Sequence, residues 1–218
     1  MAVLRWLIVA LLLLGDLLSP FSMLFLHRSG AAGAMAFALL LVVSMVAFLA
    51  AAVQGLRLHY PSPHGLHFPA AGMWRMLLGG LIPVLVFSAC WWNLFLHAGP
   101  FPSDAGWMEG MAGWQKYFYV LLVAPMAEEA AYRAWLLGPQ WNGRALPLRL
   151  FVACFGFAWG HLLFSDSGSA WFQFGRLVDY LAFSCVVTFL WLRTRNLWVC
   201  VAMHFASNLL AEVLKFAG

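Results

Sequence analysis

The chain has 218 residues, of which 64% are hydrophobic and only 9% charged. A soluble domain runs at about 45–50% apolar and about 25% charged, and a chain of this length has too little interior to hide the excess. The composition excludes an ordinary soluble domain and predicts one integral membrane domain over residues 1–218, an all-α polytopic bundle. The net charge of +4 is scattered. It offers no basic run for nucleic acid, so no nucleic-acid partner is expected, and it reads instead as topology information.

A spanning helix needs about 20 mostly apolar residues. In chain order the candidates are residues 3–26, 31–56, 73–97, 114–138, 148–165, 176–195 and 196–216, about seven spans with the fifth one short. The first begins with Arg5 and an apolar run that resembles a signal peptide. No small-x-small cleavage site follows, so an uncleaved first span is expected. Asp16 lies inside it without an evident partner. His27-Arg28-Ser29-Gly30 ends that span. The longest polar connection, residues 57–69, carries His59, His64 and His67 among prolines and reads as a solvated loop. Gly99–Gly113 is a second connection, Pro139–Pro147 closes the fourth span and Asp166–Gly175 closes the fifth. Arg193-Thr194-Arg195-Asn196 is only a tight turn. Arg176 and Asp179 fall at the expected start of the sixth span, where an interfacial role is expected.

Trp6, Trp74, Trp114, Trp141, Trp171 and Trp198 sit near predicted ends, as an interfacial belt requires. Gly156 and Gly160 give the fifth span a small-xxx-small face for close helix approach. Cys90, Cys154, Cys185 and Cys200 all lie in apolar segments without metal-like spacing and read as free, buried thiols. With the amino end inside, Arg5, Arg57, Arg75, Arg144, Arg149, Arg193 and Arg195 fall on the cytoplasmic side. Arg28, Lys116, Arg176 and Lys215 fall outside, so the bias favours a cytoplasmic amino end.

Three segments carry chemistry. The fourth contains Glu128, Glu129 and Arg133, ionisable groups that are costly at membrane depth and mark function there. Glu129 and Arg133 have the spacing of a helical ion pair, acid first. Glu128 points about 100° away and is left as the acid in need of a partner, a candidate general base. His161 stands one turn after Phe157 and is placed to orient Glu128 or its water. His204 and Asn208 share a face one turn apart, with N–H donors suited to a developing oxyanion. A hydrolytic centre inside a helical membrane bundle is the reading that uses all of them. Helix-locking polar contacts, a proton relay and a zinc ion held by Glu128, His161 and His204 are the alternatives.

Glu128-Glu129-x-x-x-Arg133, Phe157-x-x-x-His161 and His204-x-x-x-Asn208, in this order on apolar helices, resemble the three signature motifs of the CAAX-protease and bacteriocin-processing (CPBP, or Abi) family of intramembrane glutamic endopeptidases. The resemblance covers residues 114–216, the expected catalytic core. It implies that Glu128 is the base and that His161 helps to position the water. It further implies that His204 and Asn208 form the oxyanion hole, with Glu129, Arg133 and Phe157 in support. No cofactor is then expected. The partners implied are membrane lipid and a membrane-associated or lipidated protein substrate, and the expected location is a prokaryotic plasma membrane. A non-enzymatic scaffold or immunity factor of the same fold is the competing function.

Overall fold

The structure is a computed structural model that describes residues 7, 39, 42–43, 46–54, 71–91, 113–138, 145–164 and 170–217. All regular structure among the described residues is helical, with no strand. Asp16 and the three histidines of the 57–69 connection lie outside the described residues, as do nearly all of the first expected span and much of the second.

Helix α1 (Ala71–Trp91) occupies the third expected span. The fourth is one uninterrupted rod: α2 (Gly113–Phe118), a π-helical segment (Tyr119–Val123), α3 (Ala124–Glu129) and a second π segment (Ala130–Trp135). Pro125 accounts for the first widened stretch. It has no N–H to give the carbonyl four residues back, and its ring crowds that carbonyl, so the preceding turn opens. The fifth expected span is a second rod: α4 (Leu146–Phe151), a π segment (Val152–Gly156), α5 (Phe157–Gly160) and a closing 3₁₀ turn (His161–Phe164). Pro147 sits in its first turn, where no N–H is needed. Helices α6 (Ala170–Thr194) and α7 (Leu197–Ala217) complete the described bundle.

The start of the sixth element differs from expectation. It lies at Ala170 rather than at residue 176, so Arg176 and Asp179 lie inside a helix and not at its mouth. The apolar pattern alone underestimates its length, because Trp171, Phe172 and Phe174 are interleaved with Gln173 and Arg176, whose polar atoms turn inward. At 25 residues α6 is the one helix among the described residues long and apolar enough to cross a bilayer by itself.

Packing centres on α6, which touches α1, the Phe–His rod and α7. The approach to α1 is close at Gly80, where an added Cβ would sit 3.1 Å from a Val186 methyl. Nearby, the Ser88 hydroxyl donates to the Asp179 carboxylate, which gives that intramembrane acid a partner. On α1, Leu78, Ile82 and Val86 recur at helical spacing and are more than half exposed. Leu77 and Val84, on the other side, are buried. An unpaired apolar stripe of this kind suits a lipid solvent rather than water.

The rod of acids is held at its carboxyl end by two arginines. Arg149 donates to the carbonyls of Leu136 and Gly138 at 3.4 and 3.3 Å, and Arg195 donates to that of Leu137 at 3.2 Å. Cations at this end satisfy orphan carbonyls and complement the helix dipole. Arg195 reaches it because the α6–α7 turn places it at φ 50°, a left-handed conformation. Its own N–H closes on the Trp191 carbonyl at 2.8 Å. Asn196 then caps α7, its side-chain oxygen accepting the Trp198 N–H at 2.9 Å.

Replacing Asn196 by Ala removes that cap. It is expected to cost about 1 kcal/mol, read as a lowered unfolding midpoint of the detergent-solubilised protein. An unchanged midpoint would show that the turn is held by its arginine alone.

Candidate active site

Glu128 and Glu129 end α3, and the rings of His161 and His204 reach them from the second rod and from α7. Glu129 is fully buried. Its Oε2 lies 3.2 Å from Arg133 Nε, a charge contact without hydrogen-bond alignment, and Arg133 Nη1 is 3.4 Å from Oε1. The guanidinium also donates to the Ser184 hydroxyl at 2.6 Å and approaches the Ser184 carbonyl at 3.3 Å. Ser184 passes the connection on, donating to the Ala153 carbonyl at 2.9 Å. One buried ion pair thereby ties the acid rod to α6 and to the Phe–His rod. Sequence reasoning missed Ser184, since a lone serine in an apolar helix carries no motif.

His204 Nδ1 lies 2.9 Å from the same Glu129 Oε1, and its Nε2 lies 3.8 Å from Glu128 Oε2. This corrects the expectation that the two adjacent acids diverge. The His204 ring enters between them, so the angle between neighbouring side chains is bridged by one imidazole. A carboxylate accepts, so Nδ1 carries hydrogen. Nε2 is then a donor only when both ring nitrogens are protonated.

His161 caps α5 and opens the 3₁₀ turn. Its Nδ1 is 2.7 Å from the Phe157 carbonyl, which can only accept, so the hydrogen sits on Nδ1. Nε2 faces Glu128 Oε2 at 3.6 Å. In the neutral ring that nitrogen offers a lone pair. Glu128 and His161 are both partly exposed, unlike the buried pair behind them. Glu128 Oε2 has no hydrogen-bond partner among the described residues. Two acceptors thus face each other, the Glu128 Oε2 atom buried although both side chains are partly exposed, an arrangement a water molecule with two O–H groups would satisfy.

Asn208 is placed differently from the expectation that it shares a target with His204. Its Nδ2 donates to the Val120 carbonyl at 2.8 Å. That carbonyl belongs to the π segment, whose wide turn leaves acceptors open to outside donors. The amide has a second hydrogen available for a ligand. Because α7 meets residues 128–129 at His204 and residue 120 at Asn208, it runs antiparallel to the acid rod.

Phe157 is the hub beneath these groups. It is 1% exposed. Its ring lies 4.4 Å from that of His161 and 5.8 Å from that of His204, and the Arg133 guanidinium stands over it at 4.7 Å. Phe183 adds an edge contact to His204 at 4.9 Å, and Tyr180 lies over His161 at 4.6 Å. Neither Phe183 nor Tyr180 is visible as a site residue in the sequence, because both sit among ordinary α6 aromatics. Among the described residues, no group of three or more His, Cys, Asp and Glu side chains is arranged to hold a metal ion. The four cysteines are free, but of the four expected to be buried Cys200 alone is; Cys154 is half-buried and Cys90 and Cys185 are exposed.

Arg133→Ala leaves Glu129 buried and unneutralised, which costs about 3–5 kcal/mol. The expected result is loss of the folded protein from detergent extracts. The Glu129→Leu/Arg133→Leu pair should extract and melt closer to the parent, since no charge is then stranded. Equal behaviour of the single and double variants would contradict the pairing.

Comparison with known families gives a match of residues 111–210 to the family described as Type II CAAX prenyl endopeptidase Rce1-like. No curated protein and no solved structure matches the chain. The matched stretch takes in the acid rod, the Phe–His rod, α6 and the part of α7 that bears His204 and Asn208. Over that stretch, a little under half of the chain, the sequence is similar to the Type II CAAX prenyl endopeptidases, members of the CAAX-protease and bacteriocin-processing family of membrane-embedded proteases.

Proposed function

We propose that this protein is a multi-pass intramembrane endopeptidase in which Glu128 activates water for attack on a peptide bond. The observation that carries the reading is the facing pair of acceptors, Glu128 Oε2 and His161 Nε2, 3.6 Å apart on the two partly exposed side chains of an otherwise buried polar cluster. A water donating to both would present its oxygen lone pair outward. Glu128 takes one proton as the oxygen attacks the substrate carbonyl carbon. The carbonyl oxygen becomes an oxyanion, received by the Nε2–H that His204 carries when both its ring nitrogens are protonated and by the free amide hydrogen of Asn208. Collapse breaks the C–N bond, and the proton held by Glu128, relayed through His161, leaves with the amine. The products are a carboxylic acid and an amine, which ionise together to carboxylate and ammonium, and the Glu128 carboxylate is regenerated.

The supporting residues follow from the contacts. Glu129 accepts the Nδ1–H of His204, and Arg133 neutralises Glu129. Phe157 stacks on His161 and offers the carbonyl that sets its tautomer. The mechanism uses protein groups and water alone. The 1–218 chain is read as one domain of about seven spans, with its core over 114–216, in a prokaryotic plasma membrane. Substrates are membrane-associated proteins, lipidated or not.

Glu128→Gln keeps the shape of the side chain and removes the base. It is expected to lower the hydrolysis rate by about 10²–10⁴-fold with an unchanged melting midpoint. Membranes carrying that variant should accumulate an uncut precursor visible by comparative proteomics. Full hydrolysis by a folded Glu128→Gln or His204→Ala protein would overturn the assignment. Dialysis against a zinc chelator is expected to leave the rate unchanged. Loss of activity restored by added zinc would show that a metal, rather than the Glu128–His161 pair alone, activates the water.

A further inference from the structure

Helix α6 carries Arg176, Tyr180, Ser184 and Thr188 at four-residue spacing, and all four meet the Phe–His rod. Ser184 donates to the Ala153 carbonyl at 2.9 Å, and Thr188 receives the Cys154 thiol at 3.5 Å. Those two bonds end on groups that take no part in the mechanism, and they do what polar contacts between helices in lipid ordinarily do. The other two side chains end together on His161. Arg176, 7% exposed, brings Nη2 to 3.4 Å from the His161 carbonyl and 3.3 Å from the Tyr180 hydroxyl. That nitrogen has two hydrogens, one for each acceptor. The Tyr180 ring in turn lies 4.6 Å from the His161 ring, inclined to it by 36°. Guanidinium, phenol and imidazole thus form a closed circuit that begins and ends on one residue.

His161 needs a holder more than His204 does. The buried His204 has its Nδ1 fixed at 2.9 Å by the Glu129 carboxylate, which comes from another helix. The Nδ1 of His161 meets only the Phe157 carbonyl of its own rod, and its side chain is 27% exposed. Rotation about the bond to an imidazole ring is soft, so that single bond does not lock the ring. A ring turned over would put a carbon where Nε2 now faces Glu128. The main chain is vulnerable as well. His161 stands where α5 passes into the 3₁₀ turn, a place where carbonyls leave the regular ladder and accept from side chains.

We infer that Arg176 and Tyr180 are positioning residues for the hydrolysis. Arg176 pins the His161 carbonyl and the Tyr180 hydroxyl, and the Tyr180 ring keeps the imidazole turned with its Nε2 lone pair toward Glu128. This rests on the endopeptidase reading above, in which that lone pair holds the attacking water. Both residues act through His161 and touch neither water nor substrate in this role. An arginine suits it, because its charge is permanent and its donors have fixed directions.

The test reads the imidazole itself. Full-length protein with isotopically labelled histidine is placed in lipid nanodiscs and followed by nitrogen NMR, and the His161 signals are those that vanish in His161→Gln protein. The parent is expected to show one His161 tautomer, with its hydrogen on Nδ1. Arg176→Gln is expected to raise the Nε2–H form about tenfold as the ring leaves the Phe157 carbonyl. Tyr180→Leu, which keeps the cation and removes the ring, should do the same. Arg176→Lys keeps a donor for the carbonyl and should recover part of the parent spectrum. In membranes, cleavage of the precursor that accumulates with Glu128→Gln should slow by about 10–10²-fold in Arg176→Gln and in Tyr180→Leu. A lowered melting midpoint with unchanged His161 signals overturns the inference, since that is what a purely helix-locking role would give. Tyr180→Leu decides the matter where Arg176→Gln does not fold, and mixed tautomers in the parent overturn it without any variant. The two readings fail separately. Turnover by Glu128→Gln protein removes the base and leaves the tautomer result standing, whereas unchanged His161 signals remove the positioning pair and leave the base.

Discussion

Glu129 is the acid on which the architecture depends, although it is not the one assigned to the chemistry. Its carboxylate is fully buried between the Arg133 guanidinium and the Nδ1 of His204. Removing either neighbour strands a charge in a dry interior, and few single changes in a protein are as costly. Through Arg133 and Ser184 the pair reaches α6 and the carbonyl of Ala153, and through His204 it reaches α7. Helices in lipid have little hydrophobic drive to associate, so polar links of this kind and close packing hold a bundle together. The same contacts that lock four segments also orient the ring facing Glu128.

Around that pair the site is graded from dry to accessible. Glu129 and Arg133 are fully buried, His204 almost so, and Glu128 and His161 are open in part. The hydrolase proposed above would need this order, since water must reach Glu128 while the charges that position it stay out of solvent. The widened helical turns serve the same end. Pro125 opens the turn before it, which presents the Val120 carbonyl to Asn208 and so fixes the far end of the α7 face. A helix without that irregularity would spend the carbonyl on its own ladder.

The motif residues are legible in the sequence, and their partners are not. Ionisable and amide groups in apolar helices stand out because their burial is expensive, so Glu128, Glu129, Arg133, His161, His204 and Asn208 can be chosen from composition and helical spacing. The family resemblance draws on the same positions. Phe157 enters only as the residue one turn before His161, yet its ring underlies both histidines and the guanidinium. Ser184, Phe183 and Tyr180 carry no signal at all. A serine or an aromatic ring in a membrane helix is ordinary, and only a neighbour from another segment makes it part of a site. Arg176 stands out in the sequence for the wrong reason, as a helix-start charge. The element that bears it begins earlier than its apolar pattern suggests.

The sequence by itself determined that the chain is helical and apolar, where its polar groups lie along each helix, and that Glu129 and Arg133 pair. All of these follow from composition and from the 3.6-residue period, which are local properties. Tertiary structure decided which atoms meet. It set His204 between two acids expected to diverge, turned Asn208 to a carbonyl in another segment, and brought Arg176 against the His161 carbonyl. Those outcomes depend on the relative depth, rotation and irregular turns of separate helices. Such quantities are fixed only when the segments pack together, so no single stretch of sequence contains them.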